Sequence, residues 1–332
     1  MNLQERIALL TRLGNYMLSE DPGWLQAKEK AAYENGWFIE QFIDLAVKNI
    51  AENFLKKGIL EKWTAAYRLQ SDNPNPKRIG IVMAGNIPMV GFHDLLCVFI
   101  AGHKALIKPS SKDSTLIKHV AETMSAWSDE VKDLIQFADQ LKNCETYIAT
   151  GSNNSAGYFE YYFSKYPHII RRNRTSVAIL TGRESAAQLE KLADDVYLYF
   201  GLGCRNVTKI FVPEGYDFVP LLTAFKKYNF LADHHKYKNN YDYNLAIHLL
   251  NKMVYMSNAS LLLIENASLF SPISQLNYEF YNDWDKVIAS LKNNTDVQCI
   301  AGEDFVDFGR TQYPCVDDYA DGVDTLQFVT NL

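Results

Sequence analysis

One cysteine in the sequence stands on a turn rich in glycine, within the stretch YFGLGCRNVTKIFVP at residues 199–213. Cys204 directly follows Gly203, with Gly201 two residues earlier and the basic Arg205 next in the chain. Glycine lets the backbone adopt positive φ angles or approach a ligand closely. A thiol in such a turn could serve as a nucleophile, and the alternative is that it is merely a small turn residue.

Two further turns place polar groups directly after strand-like segments. In AGNIP, Asn86 offers an amide that could donate a hydrogen bond to a bound oxygen. In KPSSKD, Lys108, Ser110 and Ser111 combine a cation and hydroxyls with the predicted start of a helix. Such a combination suits a phosphate or a ribose. An ordinary turn and a solvated helix cap remain the alternatives.

A third turn, ATGSNNSAG, brings Gly151 and Ser152 to the start of another predicted helix. It is also suited to a phosphate, but it is neither a Walker A loop nor a GxGxxG dinucleotide motif. Each of these turns is a weak indication by itself.

The overall composition limits the possible classes of protein. The chain has 332 residues, of which 48% are hydrophobic and 22% charged, and its net charge is −6. No basic stripe indicates a nucleic-acid partner, and no apolar run reaches the roughly 18 residues that a membrane span requires. Five scattered cysteines without a CxxC spacing favour neither disulfides nor a metal cluster. We therefore expect a cytoplasmic protein without a metal.

The order of predicted elements indicates an α/β fold. Helical periodicity dominates residues 1–70, and the breaker SDNPNPK follows. Beyond it, uniformly apolar strands alternate with helices, which is typical of parallel sheets covered on both faces. One long helix is predicted over ESAAQLEKLADDVYLYF, residues 184–200.

We predict two doubly wound, three-layer α/β domains after an N-terminal helical segment. The predicted divisions are a helical segment at 1–70, a nucleotide-binding domain at 71–188, a domain with the catalytic cysteine at 189–310, and a C-terminal segment at 311–332 that returns to the first domain.

Taken together, the turns resemble those of the aldehyde dehydrogenase superfamily in order and approximate spacing over residues 80–213. In that superfamily the catalytic cysteine is followed five residues later by a basic residue and then a strand, which Lys209 and IFV match here. The chain is more similar still to acyl-CoA reductases of the LuxC-like group, through GNIP, KPSSKD, GLGCRNVTKIFVP and NYDYNLAIHLLN. The resemblance implies an aldehyde dehydrogenase-like fold and an NAD(P)H-dependent reduction of fatty acyl-CoA to the aldehyde.

The sequence departs from the hydrolytic aldehyde dehydrogenases at one instructive position. Those enzymes carry a glutamate, before the strand matching TSVAIL, that activates water to release the acyl group. Counting back from Cys204 without gaps places Ile170 there, and isoleucine cannot act as a base. The resemblance therefore implies an acyl thioester on Cys204 that exchanges with another thiol or is reduced. Asn86 and the Cys204 backbone N–H would hold the oxyanion.

The same resemblance suggests how a cofactor would be held. NAD-preferring relatives often carry a glutamate three residues after the lysine, and here that position is Ser111, followed by Lys112. The missing carboxylate and added lysine favour NADPH, with NADH as the other possibility. Glu303, in GEDF, is matched to a Glu-x-Phe stretch that contacts the nicotinamide ribose in relatives.

Two alternatives remain open at this point. Cys204 could work with a histidine such as His93 or His234 as an acyltransferase or thioesterase, or the protein could be a non-catalytic acyl-docking protein. His235, Tyr241 and Tyr243 are candidates for lining an acyl entrance or facing solvent.

The expected partners are an acyl-CoA substrate, an acyl-activating enzyme similar to acyl-protein synthetase, and further copies of the chain in a homo-oligomer.

Overall fold

A computed structural model describes residues 1–292 and 294–332 of the chain. Its contacts divide the chain into two compact units, one formed by Met1–Asn173 with Pro314–Leu332 and the other by Arg174–Tyr313. Each unit contains one sheet, so the predicted α/β fold with parallel sheets is confirmed. Among the residues described, no helix has the length and apolar character needed to cross a membrane.

The first unit begins with helices, as predicted from the periodicity of its N-terminal residues. The first of them starts at a capping box, in which Asn2 and Glu5 satisfy each other's backbone N–H groups. These helices are α1 (Leu3–Met17), α2 (Pro22–Glu34), α3 (Glu40–Asn53) and α4 (Lys57–Ala66).

A parallel five-stranded sheet follows in the order β3-β2-β1-β4-β5. Its strands are β1 (Arg78–Val82), β2 (Lys104–Lys108), β3 (Ile135–Phe137), β4 (Thr146–Thr150) and β5 (His168–Arg171). Between them run α5 (Phe92–Ile100), α6 (Thr115–Trp127), α7 (Val131–Leu134) and α8 (Asn153–Phe163). This strand order is that of a doubly wound nucleotide-binding sheet, which binds ligands at the carboxyl ends of its strands.

The second unit contains a six-stranded sheet in the order β11-β6-β7-β10-β9-β8. All described neighbours are parallel except the short β8, which pairs antiparallel with β9. The strands are β6 (Thr175–Ile179), β7 (Val207–Pro213), β8 (Met256–Ser257), β9 (Leu262–Glu265), β10 (Gln275–Tyr281) and β11 (Val297–Gly302). Its helices are α9 (Ala186–Tyr197), α10 (Phe218–Ala224), α11 (His235–Leu250) and α12 (Trp284–Leu291), with a 3₁₀ segment at Phe225–Asp233.

The predicted division at residues 188 and 189 differs from the one in the structure. The strand β6 had been assigned to the nucleotide-binding domain, but it pairs with β7 and β11 in the second sheet. The second unit therefore begins at Arg174. Apolar strands of equal length carry no mark of which sheet they join, so the sequence pattern alone could not place this boundary.

The helix predicted over residues 184–200 is shorter in the structure, because α9 ends at Tyr197. Tyr199 and Phe200 have φ angles of 55° and 57°, and Gly201 follows with a φ of 75°. Left-handed backbone is costly for residues other than glycine, so nothing in the residue types of Tyr199 and Phe200 indicates that the helix ends before them. The apolar periodicity continues through both residues and predicts a longer helix. Tyr199 and Phe200 are nevertheless buried, which explains why their side chains follow a helix-like pattern.

A buried arginine, which is ion-paired inside the first unit, also holds the C-terminal segment. Arg171, at the end of β5, donates hydrogen bonds to Asp94 at 2.6 Å and to Thr325 Oγ1 at 2.7 Å. Thr325 is the first residue of the last helix, α13 (Thr325–Thr330), which packs on α5. Coulombic attraction and hydrogen bonding to Asp94 outweigh burial and raise the pKa of Arg171, so its charge is retained inside the unit.

Candidate active-site residues

The cysteine turn lies at the amino end of β7 in the second unit. Tyr199 and Phe200, which have left-handed backbone, separate α9 from the cysteine turn. Cys204 is half-buried and lies two residues after Leu202, where the short 3₁₀ segment ends. The helix end that precedes this loop is therefore the carboxyl end of α9, whose last carbonyls need hydrogen-bond donors from elsewhere.

A buried amide supplies these donors. Asn206 is fully buried, and its Nδ2 donates to the carbonyl oxygens of Leu198 at 2.8 Å and Asp195 at 3.1 Å. Its Oδ1 accepts a hydrogen bond from the Gly203 N–H at 2.8 Å. One side chain thus ties the end of α9 to both sides of the Cys204 turn, and this role was missed in the sequence.

Ser176, at the start of β6, holds the same turn from the adjacent strand. Its Oγ donates to the carbonyl oxygen of Cys204 at 3.1 Å, and it accepts from the backbone N–H of Cys299 at 3.3 Å. The Cys299 sulfur also lies 3.1 Å from this oxygen. The Cys204 backbone is therefore held by two neighbouring elements, while its side chain remains half-exposed.

Lys209, which the resemblance singled out, lies inside the second unit and not at its surface. Its Nζ forms an ion pair with Glu279 on β10 and donates to the Ala267 carbonyl at 2.7 Å. The ammonium also lies 4.8 Å from the centre of the Phe211 ring. These contacts fix the start of β7 against β10, which makes Lys209 a structural support of the cysteine turn.

Glu303 does not meet Cys204 in the second unit. It follows β11, whose last residue Gly302 pairs with Ile179, whereas Cys204 lies beside Ser176 at the other end of β6. Three residues of strand separate these positions by about 10 Å along the sheet. Glu303 is exposed and pairs with Arg183 at 3.7 Å. Strand register thus places Glu303 at the end of β6 opposite the Cys204 turn, and its contact with a nicotinamide ribose stays a prediction.

The candidates in the first unit are brought together at one sheet edge. Val82, at the end of β1, pairs with both Lys108 on β2 and Ala149 on β4. The three turns after these adjacent strands therefore start level with one another, and they carry the predicted residues Asn86, Lys108, Ser110, Ser111, Gly151 and Ser152.

The turn after β2 is packed tightly against the turn after β1. A Cβ added at Gly85 would lie 2.6 Å from the Ser110 Oγ, so only glycine fits there. Ser110 itself accepts a hydrogen bond from the Lys112 N–H at 3.2 Å, while the side chains of Lys108, Ser111 and Lys112 extend from a fixed backbone into solvent.

The turn after β4 opens α8 in the expected way. Ser152 is the N-cap of this helix, and its Oγ accepts from the Ser155 N–H at 3.3 Å. A Cβ on Gly151 would meet the Ser155 and Phe159 side chains at 2.9 Å. The glycine therefore permits close packing at the helix start, and the exposed Ser152 faces solvent at that end.

Asp113 closes the turn after β2 and was not singled out in the sequence. Its Oδ2 accepts from the Met89 N–H at 2.6 Å, and its buried Oδ1 has no hydrogen-bond partner among the described residues. Burial raises the pKa of Asp113 from 3.8 to about 7, which the Met89 N–H opposes only in part. A carboxyl buried in this way is held more readily with its proton.

The remaining candidates have less specific surroundings. Ile170 pairs with Ala149 within the first sheet and provides no acid or base. His93 lies among the rings of Phe54, Trp63 and Tyr319, and Cys97 is fully buried as a core residue.

In the second unit, His234 packs on Phe200 with ring centres 4.5 Å apart and caps α11. His235 and Tyr243 are exposed, and the Tyr241 hydroxyl contacts Ser257 Oγ at 2.7 Å.

Comparison by sequence finds no matching family model and no matching curated protein. Comparison by structure finds aldehyde dehydrogenases. The structure of the Bacillus cereus enzyme in complex with NAD+ matches with a TM-score of 0.65 and 11% identity, over 91% of this chain and 72% of that one. The Mycobacterium tuberculosis enzyme complexed with NAD+ matches with a TM-score of 0.62 and 13% identity, over 87% and 70%.

A plant protein gives the same result. Aldehyde dehydrogenase 21 from Physcomitrella patens, in complex with the reaction product succinate, matches with a TM-score of 0.67 and 12% identity, over 92% of this chain and 74% of that one. At such identities the likeness establishes the aldehyde dehydrogenase fold for this chain, as the resemblance had predicted.

Replacing Asn206 by alanine should loosen the cysteine turn. The change leaves the buried Leu198 and Asp195 carbonyls and the Gly203 N–H without their partner, at about 1–3 kcal/mol for each unsatisfied group. We expect Cys204 to react faster with iodoacetamide, measured by peptide mass spectrometry, and the free energy of unfolding to fall.

Asn258→Ala is the matched control, since Asn258 is a buried asparagine of the same unit that bonds Tyr197 and the backbone of residues 260 and 261. Equal alkylation rates in both variants would show that Asn206 has no special part in holding the turn.

Replacing Asp113 by asparagine should change how stability depends on pH. Between pH 4 and about 7 the folded chain keeps a proton on Asp113 that the unfolded chain has released, so wild-type stability falls as the pH rises. The neutral amide removes this loss, and the variant should gain up to roughly 4 kcal/mol over wild type at pH 8 but little at pH 4.

Urea unfolding followed by tryptophan fluorescence measures the difference, because Trp24, Trp37, Trp63 and Trp127 lie in the first unit. Parallel curves for the two proteins from pH 4 to 8 would contradict the raised pKa.

Proposed function

We propose that the protein is an NADPH-dependent reductase that converts fatty acyl-CoA thioesters to aldehydes through an acyl group carried on Cys204. The observation that carries the proposal is the backbone clamp on the Cys204 turn within an aldehyde dehydrogenase fold. Asn206 and Ser176 hold the turn on two sides, and Cys204 is only half-buried. A cysteine with a fixed backbone outside the packed core suits a nucleophile better than a core residue does.

In the proposed reaction, the Cys204 thiolate attacks the carbonyl carbon of the acyl-CoA. A new C–S bond forms, the bond to the CoA sulfur breaks, and CoA leaves as a thiolate. Reduced nicotinamide, when bound, supplies a hydride to such a carbonyl. The hemithioacetal that remains on Cys204 then collapses to the aldehyde and regenerates the thiolate. Asn86 is proposed as a hydrogen-bond donor to the oxyanion, a contribution of roughly 3–4 kcal/mol in comparable sites.

The absence of a carboxylate that could act as a base at residue 170 favours reduction over hydrolysis. Ile170 carries no proton acceptor, so this position gives water no help in attacking the thioester. General-base assistance is typically worth ~10²–10⁴-fold in rate. An acyl group on Cys204 would therefore persist long enough to meet a reductant or a second thiol.

The residues at the edge of the first sheet fit a dinucleotide. Lys108, Ser111 and Ser152 are exposed on turns that start level, and Ser110 packs closely against Gly85. We propose that Lys108, Ser110 and Ser111 hold the ribose and that Gly151 and Ser152 face the phosphates. NADPH is preferred over NADH because Lys112 and Ser111 bring no negative charge toward a 2′-phosphate.

The contacts of two histidines count against the thioesterase alternative. The Nε2–H of His93 donates a hydrogen bond to the Val316 carbonyl at 2.8 Å, within a packed aromatic cluster. The Nδ1 of His234 accepts from the Tyr237 N–H at 3.4 Å, which engages its basic nitrogen in the helix cap. Neither contact favours a role as the base for Cys204.

Incubating the protein with a long-chain acyl-CoA and no cofactor should give a stable thioester on Cys204. Intact mass spectrometry should show one added acyl group, which hydroxylamine or CoA removes and water does not. Cys204→Ala should lose both labelling and NADPH-dependent aldehyde formation, while Cys97→Ala keeps them. Ile170→Glu should shorten the lifetime of the adduct.

Two results would overturn this assignment. Labelling that persists in Cys204→Ala would place the nucleophile elsewhere, and rapid release of free acid by wild type would favour the thioesterase. Stable labelling without any aldehyde upon addition of NADPH or NADH would favour the acyl-docking alternative.

A carboxylate at residue 111 should discriminate between the two cofactors. Ser111→Glu should weaken the binding of NADPH far more than that of NADH, because like charges at short range repel by roughly 1–4 kcal/mol. Fluorescence titration of both cofactors measures the change, and Ser111→Gln is the uncharged control of the same size. Equal weakening of both cofactors by the glutamate would remove Ser111 from the ribose site.

A further inference from the structure

The end of α11 exposes an unusual amount of apolar surface. We call the residues 247–254 the α11 tip. Within it Leu249 is 58% exposed, Leu250 78% and Val254 86%, and Ile247 and Met253 are also exposed. Isolated surface leucines are ordinary, but a continuous group of this kind is typical of an interaction surface.

The backbone of the α11 tip already satisfies its own hydrogen-bonding groups. After the last turn of α11, the Met253 N–H donates to the His248 carbonyl at 2.9 Å and the Lys252 N–H to the Leu249 carbonyl at 3.2 Å. This is the closed C-terminal cap in which a left-handed residue, usually glycine, ends a helix. Backbone closed in this way can enter an apolar medium without leaving these polar groups unpaired.

The left-handed position of that cap is filled by a lysine. Lys252 has a φ of 54°, a conformation in which glycine would be less strained. Its side chain is exposed beside the apolar group. Lys252 therefore adds a cation to the tip at a position where its own backbone is strained.

The segment of sequence that contains the tip has a net charge of opposite sign to that of the whole chain. Residues 234–256 contain three lysines and one aspartate, whereas the whole chain has a net charge of −6. The aspartate, Asp242, is bound by Lys238 at 2.8 Å. The exposed Tyr243 adds an aromatic ring with a polar end, a residue type enriched where proteins meet lipid headgroups.

We propose that the α11 tip inserts into the interfacial region of an anionic lipid bilayer. Its aliphatic side chains would enter the boundary between acyl chains and headgroups, and Lys252 would remain at the level of the phosphates. The exposed aliphatic side chains form two adjacent pairs, Leu249–Leu250 and Met253–Val254, at and just beyond the end of α11. Apolar side chains beside a cation on one short segment suit the interface of a lipid surface. No residue of the Cys204 turn takes part, so the surface stands apart from the proposed chemistry.

The test is co-sedimentation of the intact protein with vesicles of phosphatidylcholine alone and of phosphatidylcholine mixed with phosphatidylglycerol. Wild type should bind the mixed vesicles, less so as salt is raised, because screening weakens attraction to an anionic surface. Leu250→Asp combined with Val254→Asp should weaken binding by about tenfold or more. Val219→Asp is the matched control, since Val219 is a 68% exposed valine on α10, and it should bind as wild type.

Lys252→Gly provides a second variant that should fold at least as well as wild type, because glycine suits the left-handed position. It should bind mixed vesicles about fivefold more weakly, as expected for the loss of one lysine near an anionic surface.

The proposal is overturned if wild type fails to sediment with mixed vesicles, or if the double variant binds as Val219→Asp does. It is also overturned if light scattering shows that the double variant breaks up an oligomer while vesicle binding is unchanged, since a second copy of the chain would then cover the tip.

Discussion

The second unit depends on one buried amide. Where α9 ends, two bulky residues adopt left-handed backbone, so the regular hydrogen-bonding pattern of the helix stops there. Asn206 supplies donors to carbonyls at this end of the helix and an acceptor to Gly203. Since an unpaired buried carbonyl costs more than a typical hydrogen bond contributes, the shape of the turn follows from this side chain. The position of Cys204 follows from these hydrogen bonds of Asn206.

The cysteine turn is supported by side chains from the neighbouring strands and from the residues that follow it. Lys209 is held between β7 and β10, Ser176 reaches from β6, and Asn206 reaches back to α9. Each support is buried and each bonds to backbone, so residues other than Cys204 hold the turn. A reactive side chain needs such support from its neighbours to keep its position.

Much of the fold could be predicted from the sequence because buried parallel strands are uniformly apolar. The strands β1, β2, β4 and β6 are predicted from this apolar pattern. In contrast, β10 has the sequence QLNYEFY, and its polar Asn277 is buried because its amide bonds the carbonyls of Ser268 and Phe270. A polar residue paired inside a sheet breaks the apolar pattern, and no local sequence feature shows where its partners lie.

The candidate residues divide along the same line. Those in the first unit follow strands that are adjacent in the sheet, and the general behaviour of parallel sheets sufficed to group them. Glu303 follows β11 at the end of β6 opposite the Cys204 turn, a position that depends on strand register and that the sequence does not show. Asn206 lies two residues after Cys204, but asparagine is common in turns, so the sequence does not mark it as important. Only its burial and its four backbone partners set it apart.

The path of the chain has a consequence for how the protein is made. The first unit takes Val316, Leu326 and Val329 from the last segment into its core, and the second unit is continuous between Arg174 and Tyr313. A ribosome adds roughly 5–20 residues each second, so the interrupted unit must wait at least several seconds for its final pieces. The continuous second unit can therefore complete its fold before the first unit, whose core stays incomplete until the last segment has been synthesised.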